Sequence, residues 1–329
     1  MGTPAQPTIG LALGSGSARG WAHIGIIQGL EAIGVRPQVV AGTSVGALVG
    51  AVYVAGQLEP FTEWVMKLTP RDVFGLMDLS FSGGMVKGQR LFGYFEERHL
   101  NPKIEDMEQR FVSVATEMSS GREIWITRGP IITAARASCA IPGLFSPVKH
   151  DERWMLDGGL VNPVPVSACR AMGADVVIAV NLNAQLVGRH LSRAGQEVVA
   201  REASTKQEKT FWQRMVASLS SGDDDRPGMF DVVAASVNIL QDRLTRSRMA
   251  GDPPEITLLP VLADFALMDF HRARECIEEG RRLVQENAST LRAWAGLPRT
   301  DAVAPKDAKD AKDAERQEEV PTEPPPPEP

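Results

Sequence analysis

The pentapeptide Gly42-Thr43-Ser44-Val45-Gly46 constrains this chain more than any other feature, because of what flanks it. Before it, residues 38–41 read as a buried strand. After it, residues 45–55 are small and apolar, the pattern of a helix packed inside a sheet sandwich rather than on its surface. Gly-x-Ser-x-Gly at such a junction demands a sharp strand-to-helix turn with the serine in a strained backbone, and glycines where a Cβ would collide with neighbouring chain. The following helix points its N-terminus at the serine and favours negative charge there. Ser44 is therefore the candidate nucleophile, and Gly42, Thr43, Val45 and Gly46 form its elbow. The same pentapeptide in an ordinary loop would carry no such meaning.

The elbow sits in a βαβ opening. Residues 8–13 alternate and are β-rich, and residues 18–33 place Trp21, Ile24, Ile27 and Leu30 at helical spacing. Further strands are expected at 110–115, 123–127, 175–180 and 255–259, and helices near 130–138, 165–172, 229–249, 270–286 and 289–295. Strands alternating with helices imply an α/β fold, a mostly parallel central sheet covered on both faces. The folded domain is expected over residues 8–296. Residues 58–100, rich in large apolar side chains, are read either as a cap over an apolar cleft or as an inserted helical layer completing the core. Residues 184–228 turn polar and read as a long excursion. Within it Phe211, Trp212, Met215, Val216 and Leu219 fall at helical spacing beside Lys206, Lys209 and Arg214, a weak interfacial-helix signature that a docked helix explains as well.

Two more segments carry chemistry. Gly14-Ser15-Gly16-Ser17-Ala18-Arg19-Gly20 follows the first strand and opens the first helix. A dinucleotide fold would use such a loop for pyrophosphate, yet the second strand ends Val39-Val40-Ala41-Gly42 and offers no acid for a ribose. The alternative is an oxyanion hole above Ser44, for which the amides of Gly16 and Ser17 are the nearest donors. Asp157-Gly158-Gly159 is by itself an ordinary turn. Beside the other two segments it supplies an acid on a tight, closely approached backbone, with Trp154, Met155 and Leu156 as a candidate apolar wall to raise its pKa. Among the histidines, a triad in Ser, Asp, His order could use Asp264 and His271, but one strand and one helix before residue 38 are too few for that topology.

Composition closes off other classes. The chain of 329 residues has a formal net charge of −6, but residues 301–329 hold nine acidic against four basic side chains, which leaves the body near neutral and gives no bulk case for nucleic acid. That tail, with its KDAKDAKDA repeat and Glu-Pro-rich end, lacks the apolar surface to offset ordering entropy, so residues 297–329 are expected to be disordered, as are residues 1–7. Cys139, Cys169 and Cys276 are widely spaced and fit reduced thiols in the cytoplasm. No secretory signal or metal-ligand spacing is seen, so no metal or other cofactor is expected. The longest uncharged apolar stretch, 45–56, is about twelve residues against the roughly 20 a membrane span requires, so any contact with the inner face of a membrane is expected to be peripheral.

Taken with Arg19-Gly20-Trp21-Ala22-His23-Ile24-Gly25, Ala137-Ser138-Cys139-Ala140-Ile141-Pro142-Gly143 and Arg248-Met249-Ala250-Gly251-Asp252-Pro253-Pro254, these segments make residues 8–290 resemble the patatin-like phospholipases, most of all the bacterial RssA-type subgroup. The resemblance implies a three-layer α/β/α sandwich and hydrolysis of acyl lipids by a Ser-Asp dyad, here Ser44 and Asp157, with residues 14–20 as oxyanion loop. A lipid or acyl ester is then the expected partner, and no residue in the sequence speaks to oligomeric state. One departure stands out: where the family often reads Gly-Gly-Gly-x-Arg-Gly, serine occupies positions 15 and 17. A serine held at positive φ there would be strained, which keeps open a weakly active or non-hydrolytic lipid-binding regulator on the same fold. Acyl transfer to an acceptor other than water would use the same residues.

Overall fold

The computed structural model describes residues 6–76, 92–95, 98, 101–142, 145–184 and 229–298. Residues 1–5 of the expected leader, 299–329 of the expected tail, most of the excursion at 184–228, and the middle of the candidate cap lie outside the described residues.

Eight strands form one sheet: β1 (Ile9–Leu13), β2 (Val39–Thr43), β3 (Arg110–Glu117), β4 (Glu123–Ile126), β5 (Val148–His150), β6 (Arg153–Asp157), β7 (Val176–Val180) and β8 (Ile256–Leu258). The helices are α1 (Ala22–Ala32), α2 (Val45–Val54), α3 (Leu58–Val65), α4 (Pro70–Leu76), α5 (Ile131–Ser138), α6 (Val166–Ala171), α7 (Met229–Gly251), α8 (Ala273–Glu286) and α9 (Ala288–Trp294). Hydrogen-bonded neighbours run β5-β6-β3-β2-β1-β7-β8, with β4 also on β3. The pairs among β3, β2, β1, β7 and β8 are parallel, so the centre of the sheet is parallel and its antiparallel pairs gather around β3.

Every residue of β1, β2 and β7 is buried, because both faces of the sheet are covered. Alternation sorts the side chains into two cores. Leu11, Leu13, Val40, Phe111 and Ile178 join the larger core with α1, α2, α3 and α8, while Ala12, Val39, Ala41, Val112, Val114 and Val177 meet α6 on the other face. Helices on both faces of a mostly parallel sheet make the three-layer α/β sandwich that the sequence leads one to expect.

Of residues 58–100, Phe61, Phe92, Tyr94 and Phe95 are buried in the larger core, where Phe61 stands edge-on to Trp21 at 5.7 Å between ring centroids. The described part of this segment packs into the apolar core. The segment 18–33 begins as a tighter 3-10 turn, Ser17–Trp21, before α1. Strands β5 and β6 were not among the expected elements. They form a hairpin whose two turn residues, Asp151 and Glu152, take φ of 45° and 61°.

Two features of this topology place the site. Strand β1 is the point at which sheet order reverses, β2 lying to one side and β7 to the other, and ligands in such sheets bind beyond the carboxyl ends of the strands at the reversal. Second, Ser113 and Val114 pair with both β2 and β4, whereas Ala115 and Thr116 pair with both β4 and β6. Strand β4 therefore takes one edge of β3, and the other edge is shared end to end by β2 and β6. Because β6 is antiparallel, its last residue, Asp157, arrives where β2 stops at Thr43.

Candidate active site

Ser44 follows β2 with φ 57° and ψ −128°, a conformation that residues other than glycine rarely adopt. Its surroundings enforce it. A Cβ on Gly46 would lie 2.1 Å from the Leu13 carbonyl oxygen, so only glycine lets the start of α2 press against the end of β1. The Ser44 N–H donates to Ser138 Oγ at 2.7 Å, and Ser138 in turn donates to the Val114 carbonyl, which ties the elbow to α5 and β3. Thr43 Oγ1 donates to the Asn162 carbonyl at 2.8 Å. Ala47 and Leu48 return their N–H groups to the Ser44 carbonyl and start the helix.

The Ser44 hydroxyl donates to Asp157 Oδ2 at 2.5 Å, and both residues are buried, 3% and 1% exposed. The other carboxylate oxygen accepts the Gly159 N–H at 2.7 Å. The aspartate backbone is held as firmly: its N–H donates to the Ala140 carbonyl and its carbonyl accepts from Thr116 Oγ1. At Gly158 a Cβ would lie 2.0 Å from the Val114 carbonyl oxygen, so the chain after Asp157 passes directly against β3. Burial pushes the Asp157 carboxyl up to about 7, and the bonds from Ser44 and Gly159 pull the other way. The expected wall needs correction. Trp154 is 54% exposed, and alternation along β6 puts Trp154 and Leu156 on the face opposite Asp157, so of the three only the buried Met155 shares its side.

Residues 14–20 lie beside Ser44, across the end of β1. Four amides of this loop are engaged: Gly14 with the Val180 carbonyl, Ser15 with Pro163, Ala18 with Leu267 and Arg19 with Gly16. Those of Gly16 and Ser17 make no hydrogen bond among the described residues. The two serines differ. Ser17 does take positive φ, 52°, and its hydroxyl donates to the Leu267 carbonyl at 2.7 Å. Ser15 is not strained, and its hydroxyl donates to Gln241 Oε1 at 2.9 Å. Arg19 is buried with Nε on the Gly16 carbonyl, and burial lowers its pKa to about 10, which leaves it charged at neutral pH. Gly20 packs so tightly on Val45 that a Cβ would come within 2.1 Å of Val45 Cγ2.

Ser15, Gly16, Ser17, Arg19 and Ser44 open onto one cleft. Its other walls are Ile141 and Pro142, Leu267, and one side of α7 carrying Val233, Val237, Asn238 and Gln241. None of the described residues of 58–100 lines it. Sequence reasoning missed this wall and also Ser138. The spacing of Val233, Val237 and Gln241 marks a helix face without saying what that face meets. The other motifs are structural: Arg170 joins Asp252 and Glu255, Arg248 reaches Glu123, and Arg246 pairs with Asp242, so two of the three arginines on this helix are engaged with carboxylates.

His23 does not contact Ser44. It is buried, its Nε2 is 2.8 Å from the Gly14 carbonyl oxygen, and burial lowers its pKa to about 4. His271 lies in a 3-10 turn, Phe270–Arg272, and among the described residues no histidine bonds the Ser44 hydroxyl. Among the described residues no group of three or more His, Cys, Asp or Glu side chains is arranged for a metal ion, and no helix is long and apolar enough to cross a membrane. All three cysteines are free and buried.

Comparison with known proteins agrees with this architecture. The model of the patatin-like phospholipase family matches residues 11–170, which run from β1 through the elbow and Asp157 to α6. Uncharacterized NTE family proteins of Mycobacterium bovis and Mycobacterium tuberculosis are 31% identical over 85% of this chain and 91% of their own length. A protein of Pyricularia oryzae named lysophospholipase NTE1 is 26% identical over 92% of this chain, which corresponds to only 20% of that longer protein. VipD from Legionella pneumophila superposes with a TM-score of 0.43 at 12% identity, covering 88% of this chain and 67% of its own. These relatives carry NTE names, and the RssA-type subgroup suggested by the motifs is not among them. With two glycine-flanked segments meeting at the strand ends and full-length relatives at this identity, the chain belongs to the patatin-like phospholipase family.

Proposed function

We propose that this protein is a serine acyl hydrolase that cleaves lipid esters, of phospholipase A or lysophospholipase type, with Ser44 as nucleophile and Asp157 as its base. The observation that carries the reading is the 2.5 Å hydrogen bond from the Ser44 hydroxyl to a buried carboxylate at the end of a largely apolar cleft. Asp157 takes the hydroxyl proton as Ser44 Oγ bonds to the ester carbonyl carbon. The carbonyl oxygen becomes an oxyanion facing the free amides of Gly16 and Ser17 and the N-terminus of α2. Asp157 then returns the proton to the departing alcohol, and water, deprotonated by the same carboxylate, releases the fatty acid.

A carboxyl raised to about 7 suits this work, because it is ionised in a useful fraction at neutral pH and is a far stronger base than an ordinary aspartate. Val233, Val237, Ile141, Pro142 and Leu267 offer an apolar path for the acyl chain, worth about 0.8 kcal/mol per buried methylene. The similarity to the Pyricularia oryzae protein named lysophospholipase NTE1 favours a lysophospholipid as substrate. We place the protein in the cytoplasm, in keeping with its three free cysteines, and in peripheral contact with the membrane. Val232, Ile239 and Leu240 on the exposed side of α7 are available for that contact.

One observation favours a second reading, a weakly active lipid-binding regulator: Ser17 holds positive φ where glycine would be unstrained. Fluorophosphonate labelling of Ser44, together with fatty-acid release from lysophospholipid, diacyl phospholipid and acyl thioester, separates the two. Labelling with rapid release supports the hydrolase. A folded protein that binds lysophospholipid but neither labels nor releases fatty acid would establish the regulator.

A further inference from the structure

The wall contributed by α7 contains a side chain whose chemistry the reaction above leaves unused. Gln241 is 6% exposed, and its Oε1 is saturated, accepting from Ser15 Oγ at 2.9 Å and from Asn183 Nδ2 at 3.0 Å. No residue among those described accepts from its Nε2, and the side chain lies on the cleft wall. This amide nitrogen would lie 2.4 Å from a Cβ on Gly159, and the same point is 2.9 Å from Asp157 Oδ1, so donor and dyad carboxylate flank one glycine. An amide donor on the cleft wall that no neighbouring residue engages, beside a reactive pair, is a place where a ligand acceptor belongs.

The three substituents of the ester's tetrahedral centre then sort themselves. The oxyanion faces Gly16 and Ser17, on one side of Ser44. The acyl chain follows the apolar residues Val233, Val237, Ile141, Pro142 and Leu267. The remaining substituent, the alcohol, must leave beside the group that protonates it, which is Asp157, and Gln241 Nε2 stands on that side.

On the reading of the protein as an acyl hydrolase, we propose that Gln241 is a specificity-determining residue whose Nε2 donates a hydrogen bond to an oxygen on the alcohol side of the ester, the glyceryl hydroxyl or second ester oxygen. It thereby selects glyceryl esters over simple aryl esters of the same acid. Asn238, one turn earlier and on the same wall, extends this uncharged polar end of the cleft.

The test compares wild type with Gln241→Met, which keeps the length and loses the donor, on palmitoyl lysophosphatidylcholine and on 4-nitrophenyl palmitate. The loss of the Ser15 contact acts on both esters alike, so the expected result is a fall in kcat/KM about tenfold or more greater for the glyceryl ester than for the aryl ester. Equal losses on both would overturn the proposal and leave Gln241 as a support for Ser15 alone. Gln241→Glu retains an acceptor for Ser15 and Asn183 and loses the donor. It should move the ratio of the two activities in the same direction, and it replaces the methionine variant if that one does not fold. An ether-linked lysophospholipid, which has no ester to cleave, gives a binding readout independent of turnover. Affinity about tenfold weaker in the variant is expected, and unchanged affinity would overturn the proposal even if the wild type proved to hydrolyse neither ester.

Discussion

Ser138 holds Ser44 by its backbone: the hydroxyl on the last turn of α5 accepts the Ser44 N–H at 2.7 Å and donates to the Val114 carbonyl. An elbow with φ 57° persists only where its surroundings over-determine it, and this serine is one of the restraints. Ser138→Ala leaves a buried N–H without an acceptor. The expected cost is about 1–3 kcal/mol in denaturant unfolding, together with slower fluorophosphonate labelling of Ser44. A variant as stable and as quickly labelled as wild type would remove Ser138 from that role.

Activity and stability should run in opposite directions with pH. Asp157 must be ionised to act as base, and its carboxyl is raised from 3.8 to about 7. kcat/KM is therefore expected to rise about tenfold per unit below pH 7 and to level off above it. For stability the raised value favours the protonated fold, so this contribution is complete below the ordinary carboxylate range and is lost as pH climbs from about 4 to about 7. The loss amounts to at most about 4 kcal/mol. Denaturant melts across pH 4 to 8 read it directly.

The companion variant is Asp157→Asn, which has no charge to bury. Catalysis should nearly disappear, yet the protein should be more stable than wild type at pH 8, by on the order of 2 kcal/mol, and that margin should vanish by pH 4. A variant with full esterase activity would dispose of the dyad. One with unchanged melts at pH 8 would mean that the carboxylate is not costly to ionise where it sits.

At position 17, strain and a hydrogen bond oppose each other. Ser17→Gly relieves a positive φ at the expense of the bond to the Leu267 carbonyl, each worth about 1 kcal/mol, so its stability should stay close to wild type. Ser17→Ala keeps the strain and loses the bond, and should be about 1 kcal/mol less stable than the glycine variant. Thermal melts of the pair would show whether the serine restrains the loop or merely occupies it.

Much of the framework was legible because local pattern and tertiary role agree. Residues 9–13 and 39–42 are apolar throughout, as strands covered on both faces must be, and the small residues of α2 announce a buried helix. The hairpin of β5 and β6 was not legible, since its turn is built from Asp151 and Glu152 at positive φ, where Asn-Gly or Asp-Gly is the usual signal. With the strand unseen, Trp154 could not be assigned to the solvent face. The elbow, the glycine loop and the acid each had a local signature. Ser138 and Gln241 had none, because a serine at a helix end and a glutamine on a long helix acquire meaning only from what they touch.

The end-to-end arrangement of β2 and β6 along β3 makes the aim of the acid a matter of counting. Side chains on a strand switch faces with each residue, so a slip of β6 by one position along β3 would turn Asp157 away from Ser44 while leaving every glycine of the elbow in place. Strand register alone can therefore extinguish or restore this chemistry, without touching either reacting group.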